Sequence, residues 1–486
     1  MTRTTRIAIC LSILAVVARL ISINQPYIDT WSWRQSDVAA IARNFYENGF
    51  HFGHPQIDWA GGHPGYVGTE FPILPFLAAI SYKFLGVHEW IGRVQAVILF
   101  AVSLPFFFFL VREILGEIAA AWALLFYSFA PLNLFAGREF MPDVPSLSFA
   151  LIGLYFFLRW IDNERSAFVF ASALCISLSI LIKLPSALIG APLLILVWQK
   201  WRWNFLRQRR LWVFGGATLI PSAIWYWHAW AIAESFYPHH FFGAGGIQIM
   251  SAGWYWRIAK DVMTSSLTFL LFAVATLGAF ITRSTPRARL FHWWLAAMVI
   301  FIIVVGYGNR HPWYRLPLVP IAAAFAGGAC AFAISRTFIR GAKIGLTAVI
   351  AGSFAFSAFA YARLFYRPVS APLRDLGLEL KSNTTPNSLI IAADNGDPTI
   401  FYYAERKGWH FLERDGIFNG EPVESAQAIA DLEKLRKSGA THVVFTSDTL
   451  WWLDYYKEFA NYLDATATLM EATPEFKIYK VNPVTE

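Results

Sequence analysis

Four short stretches concentrate the residues able to do chemistry in a chain that is otherwise apolar. In "PYIDTWSWRQSDVAAIARNFYENG", Pro26 to Gly49, the carboxylates Asp29 and Asp37 alternate with Trp33, Arg34 and Arg43. In "LFAGREFMPDVPSL", Leu134 to Leu147, Arg138, Glu139 and Asp143 stand close together. A third group comprises Glu70, His228 and the run "ESFYPHH", which ends in His239 and His240. The fourth, "GYGNRHPWYRLPLVP", Gly306 to Pro320, holds Asn309, Arg310, His311, Tyr314 and Arg315. Carboxylates to activate a hydroxyl, cations to hold a phosphate and aromatics to stack on a sugar or lipid chain form an inventory for group transfer from a lipid phosphate. Glu and His are also ligands for a divalent ion, although no HExxH-like spacing marks a metal site.

The elements that must position these residues follow from composition. Of 486 residues, 56% are hydrophobic and only 15% charged, against about 25% charge in an ordinary soluble domain. This is the texture of a membrane protein. Apolar runs near the ~20 residues needed to span hydrocarbon recur at 6–24, 90–112, 117–136, 144–161, 166–183, 185–199, 211–230, 262–282, 290–306, 314–335 and 341–362, which predicts about eleven transmembrane helices. The first follows Arg3 and Arg6 but lacks a small-residue cleavage site, so it reads as an anchor.

Basic loops stay in the cytoplasm, and "QKWRWNFLRQRR", "TRSTPRAR" and "SRTFIRGAK" fall on one side of an eleven-span chain, together with the N-terminus. Segment 25–89, loop 231–261 and everything after 362 then face outward. The net charge of +8 is explained by that anchoring, and no nucleic-acid partner is expected. Cys10, Cys175 and Cys330 lie inside predicted spans and read as packing residues.

In the first outer loop, 25–89, Val38 to Glu47 has helical periodicity suited to a membrane surface, with Asp37 opening and capping the helix. Phe71 to Gly86 is too short for a span and reads as a second interfacial helix. Beyond 365, helices alternate with short β-branched strands such as "SLIIAAD" and "THVVFTSD", which predicts a soluble α/β domain over 366–486 after a membrane domain over 1–365.

Taken together, "ARNFYENG", "EFPILPFLAAISYKFLG", "GREFMPD" and "NRHPWYRLPLVP" resemble the GT-C-type integral membrane glycosyltransferases, the group of the protein O-mannosyltransferases and the lipid A aminoarabinose transferase. The resemblance covers the whole membrane part and the trailing α/β domain. It implies a polyprenyl-phosphate-linked sugar as donor, a lipid, glycan or protein acceptor, and inversion at the anomeric carbon. It also implies a carboxylate base in the first outer loop and a second carboxylate where Asp143 stands. The family's acidic doublet is replaced here by Arg34-Gln35, so the base is Asp37 or Asp29, with Asp37 favoured. A Lys that relatives carry after the Glu is Phe71 here, which leaves Arg138, Lys183, Arg310, Arg315 and His311 as candidates to bind the donor phosphate. Arg34, Trp33 and Tyr314 are candidate substrate contacts. Glu70 matches a metal-binding Glu of some relatives, with His228, His239 and His240 as further ligands. The alternative is a polytopic lipid or solute transporter, which would carry mid-span charge pairs and inverted repeats.

Overall fold

The structure is a computed structural model that describes residues 2–241 and 246–482. Parts of the predicted outer loop 231–261 and of the C-terminal segment therefore lie outside the described residues. The chain forms two compact units: Met1–Ile23, Arg93–Trp225 and Gly243–Phe365 make one, and Asn24–Gly92, Tyr226–Phe242 and Tyr366–Glu486 make the other.

The first unit is helical. Among the described residues of the chain, six segments are long and apolar enough to cross a membrane: Glu89–Leu115, Asp143–Asn163, Leu184–Arg207, Pro286–Arg310, Pro312–Arg336 and Arg340–Phe365. A seventh is counted if Ala252–Ser266 and Phe269–Thr282, bent by 105°, are one broken span. Helices also occupy the other segments read as spans, but they fall short of that test for a stated reason. Arg3–Leu20 carries Arg3, Arg6 and Arg19, and Glu117–Phe129 and Ser166–Ile182 are shorter.

Small residues let these helices approach at backbone distance, as packing within lipid favours. A Cβ on Gly278 would lie 1.9 Å from the Phe325 carbonyl oxygen, and one on Gly327 would lie 2.3 Å from that of Ala119. Arg19 is wholly buried and carbonyls receive it: its Nη2 donates to Ser128 and Asn133 oxygens at 2.9 Å, and its guanidinium lies 3.5 Å from the Phe100 ring centroid.

The second unit is built on a five-stranded sheet. Strands β1 (Leu389–Ala393), β2 (Lys407–His410), β5 (His442–Thr446), β6 (Ala467–Ala472) and β7 (Phe476–Val481) lie in the order β2-β1-β5-β7-β6. The short pair β3 (Glu413–Arg414) and β4 (Ile417–Phe418) forms a separate ribbon. β1 runs parallel to β2 and β5, whereas β7 is antiparallel to its neighbours. The helix Thr399–Ala404 ends before Lys407–His410, which pairs with β1 as an edge strand.

Side chains alternate across the sheet. Ile391, Val443, Phe445 and Tyr479 enter one core with Trp452 and Phe459, and Ile390, Ala392, Val444 and Ile478 enter the other. The second core is completed by the first outer loop, through Ile41, Phe45, Ile57, Trp59 and Val67. That corrects the surface-helix expectation. The helix Ser32–Asn48 is buried along most of its length, and Arg43 fastens it by donating to Asp58 Oδ2 and the Tyr402 carbonyl, each at 2.6 Å.

Candidate functional site

In the sheet-containing unit, Asp37 of the helix Ser32–Asn48 meets Trp59. Its indole N–H donates to Asp37 Oδ1 at 3.0 Å, and its rings lie 5.6 Å from His240 and 5.3 Å from His410. Burial pushes the Asp37 carboxyl up from its ordinary 3.8 to about 6, against the pull of Arg34 and of the Trp59 hydrogen bond. Burial, reinforced by Arg34, pushes His240 down to about 4, so it is neutral at pH 7. His410 behaves in the opposite way. Burial disfavours its charge, but Asp394, 2.8 Å from its Nδ1, outweighs that and its pKa is raised.

Asp37 does not open its helix, as had been expected, because the helix begins a turn and a half earlier at Ser32. The N-cap is Trp31, which makes no side-chain cap; Asp29 stands just before it, and its Oδ1 accepts from the Trp31 N–H at 3.1 Å and from Gln35 Nε2 at 3.0 Å. Asp29 is thereby committed to positioning the helix entry, and Asp37 is turned toward Trp59. Trp33 is half-buried on the first turn. Beside them Asp397, with a carboxyl that burial raises to about 6, accepts from the Thr399 N–H at 3.0 Å and from Ser32 Oγ at 3.4 Å.

Asp394, Asp397 and His410 were missed in the sequence. The available signal was an acid following β1 in "AADNGDP", since the carboxyl end of a parallel strand is where α/β sheets place ligands.

The suggested metal ligands are otherwise engaged. Arg34 Nη2 donates to both Glu70 oxygens, at 3.0 and 2.9 Å, with Thr69 Oγ1 adding a third bond at 3.0 Å. His228 Nε2 lies 2.8 Å from the Gly53 carbonyl oxygen and His239 Nδ1 lies 3.1 Å from that of Ala233. Among the described residues no three His, Cys, Asp or Glu side chains gather so as to hold a metal ion. A cation at Glu70 would have to displace a guanidinium, so this donor set does not fit one.

In the helical unit, three residues from distant segments meet. Lys183, where the helix Ser166–Ile182 ends, places Nζ 3.4 Å from Asp143 Oδ1 and 4.9 Å from the Tyr314 ring centroid. Lys183 and Asp143 are both buried. Two 3-10 turns, Gly306–Arg310 and Pro312–Arg315, carry the fourth motif. Arg310 is exposed over the Tyr307 ring, and His311 stacks on Trp313 at 4.5 Å. Arg315 is buried, 3.4 Å from the Ile258 carbonyl oxygen and 3.7 Å from Asp261 Oδ2. The same Ile258 lines an apolar cavity of about 710 Å³ with Val262, Phe272, Leu318 and Phe325. Arg138 differs from the other cations. Its guanidinium is spent within the fold on Glu139 at 2.8 Å and on the Ile21 and Ser22 carbonyls, where it holds the end of the first helix.

Comparison with known proteins bears on this arrangement. Residues 63–227 match the family model described as dolichyl-phosphate-mannose-protein mannosyltransferase. No curated protein sequence gives a match. The crystal structure of ArnT from Cupriavidus metallidurans bound to undecaprenyl phosphate has a similar fold at TM-score 0.69 and 16% identity, over 99% of this chain and 98% of that one. The oligosaccharyltransferase AglB from Archaeoglobus fulgidus, in complex with an inhibitory peptide and a dolichol-phosphate, aligns at TM-score 0.64 and 12% identity, over 99% of this chain and 74% of that one. The arabinofuranosyltransferase AftD from Mycobacteria aligns at TM-score 0.62 and 15% identity, over 99% of this chain and 40% of that one. The resemblance read from the residues is thus met by a glycosyltransferase family-model match over 63–227 and by a fold similar, along nearly the whole chain, to those of ArnT, AglB and AftD.

Proposed function

We propose that the protein is a glycosyltransferase that moves a sugar from a polyprenyl-phosphate carrier to an acceptor hydroxyl at the outer face of the cytoplasmic membrane. The observation that carries this reading is the fold shared over 99% of the chain with an ArnT structure that holds undecaprenyl phosphate. The glycosyltransferase family match over 63–227 supports it independently. Eleven crossings, with the N-terminus inside and the sheet outside, are the topology this reading takes from the distribution of Lys and Arg.

The reaction is a single displacement. Asp37 takes the proton of the acceptor hydroxyl, the hydroxyl oxygen attacks the anomeric carbon, and the bond from that carbon to the phosphate oxygen breaks. Polyprenyl phosphate leaves with one additional negative charge, and the sugar is inverted. A carboxylate with a pKa near 6 is a stronger base than an exposed one and is still ionised at pH 7. Lys183, held by Asp143, and Arg315, whose guanidinium meets the carbonyl of the cavity-lining Ile258, are the cations assigned to the donor phosphate. A transporter is not favoured, since the family match and the solved structures of similar fold are transferases.

The test is incubation of membranes with radiolabelled polyprenyl-phosphate sugars. Wild type should consume the lipid-linked donor, and Asp37→Asn should not. Full activity in both Asp37→Asn and Asp29→Asn would remove the loop carboxylates from the mechanism.

A further inference from the structure

A second polar pocket lies within the helical unit, at the predicted cytoplasmic end of its helices. Its volume is about 430 Å³, and Trp160, Glu164, Trp201, Arg207, Gln208, Arg209 and Arg210 line it. Glu164 is paired with Lys200 at 2.6 Å, which leaves the charge of the lining to the three arginines. Arg209 begins the helix Arg209–Ser235, so the amide groups of its first turn add the positive end of a long helix.

The observation that turns a basic patch into a site is Trp160. Its side chain is one of the largest fully buried ones, it lines this pocket, and its indole N–H makes no hydrogen bond among the described residues. A buried N–H without an acceptor is costly, and an anion in the pocket would supply one. The surroundings indicate where such an anion comes from. Trp203, Leu206 and Trp212 are 72%, 50% and 63% exposed around the connection between the helices Gly190–Trp201 and Arg209–Ser235. Amphipathic indoles and an apolar tip beside clustered Arg are the signature of a segment at headgroup depth.

We propose that this pocket binds a phosphate-bearing anion, the headgroup of an anionic phospholipid, with the three guanidiniums on the phosphate oxygens and the Trp160 indole as a further donor. Arg suits this task because its planar fork makes paired hydrogen bonds to phosphate. Assignment of the lipid to the cytoplasmic leaflet rests on the topology given above, but binding itself does not.

The experiment is native mass spectrometry of the full chain released from detergent, titrated with phosphatidylglycerol, with phosphatidylcholine and with inorganic phosphate alone. Wild type should retain phosphatidylglycerol about ten-fold more than phosphatidylcholine. The variant R207Q/R209Q/R210Q should lose that preference. W160F, which keeps every charge and removes the indole donor together with one ring, should weaken retention about three-fold; it carries the test if the triple variant does not fold. Binding of inorganic phosphate, lost in the same variants and without lipid preference, would assign the same chemistry to a soluble phosphate. No preference in wild type and no phosphate binding, or undiminished preference in both variants, would overturn the proposal. None of these readouts depends on glycosyl transfer, so failure here and failure of the transferase reading are separable.

Discussion

At the scale of single residues, Asp37, as the proposed base, would set activity against stability. Its carboxyl is raised to about 6 by burial, as is that of Asp397. A raised carboxyl contributes stability that is fully present below its unfolded value near 3.8 and is lost as pH rises through 6. For a buried group, a rise from 3.8 to about 6 corresponds to about 3 kcal/mol. Asp37→Asn keeps an oxygen for the Trp59 indole and removes that penalty. The variant should therefore melt at a higher temperature than wild type at pH 7, with the difference shrinking toward pH 4, while transfer falls about 100-fold or more. Wild-type kcat/KM should decline as pH falls through 6, where the base becomes protonated. A variant less stable than wild type at pH 7 would show that Asp37 is held by more than the burial and hydrogen bond described. Glu70→Gln tests the neighbouring pair: it leaves the buried Arg34 guanidinium without its carboxylate and should cost about 3–5 kcal/mol. Since both Glu70 oxygens are taken by Arg34, chelator should leave the wild-type melting temperature unchanged.

At the scale of elements, the first outer loop and the sheet depend on one another. Gly61, at φ +57°, donates its N–H to the Gly408 carbonyl of β2 at 2.6 Å, and Gly408 donates to Asp58 at 3.0 Å. A Cβ on Gly61 would lie 2.0 Å from the Trp409 ring. Gly61→Ala combines overpacking with an unfavourable φ, and a loss of about 1–3 kcal/mol is expected in thermal unfolding of the full chain, with faster proteolysis of the loop. Because Ile57 and Trp59 share a core with Ile390 and Val444, the same change should also disturb the setting of Asp37. Among the membrane helices, Gly278→Val would drive a side chain into the Phe325 carbonyl and part Phe269–Thr282 from Leu318–Arg336. It should lower the melting temperature in detergent, whereas a change at Gly352, which has open space around it, should not.

At the scale of the molecule, topology is the open quantity with the simplest measurement. Alkaline phosphatase fused after residue 482 should be active, and fusions after Arg210 or Arg336 should be inactive, if basic loops are retained inside. The reverse pattern would invert the orientation. Hydropathy by itself determined that the chain is a membrane protein with a polar C-terminal α/β segment, because length and apolarity are local properties that need no partner. It also determined where the strands "SLIIAA" and "HVVFT" fall, since runs of buried β-branched residues read the same in any fold. The tertiary structure decided the rest, because charge that looks solvated in sequence is judged by what surrounds it. Asp29 and Asp37 are similar in sequence, yet one accepts the backbone N–H of Trp31 ahead of the helix and the other accepts an indole N–H. Arg138, Glu70 and Arg34 read in sequence as ligand-binding groups, and the fold gives each a partner, Glu139 for Arg138 and Arg34 for Glu70. His410 and Asp394 carried no motif, and they reach Trp59 only because a sheet more than three hundred residues downstream packs on the first outer loop. Such long-range pairing leaves no trace in local pattern, which is why the span texture was legible and the constellation around Asp37 was not.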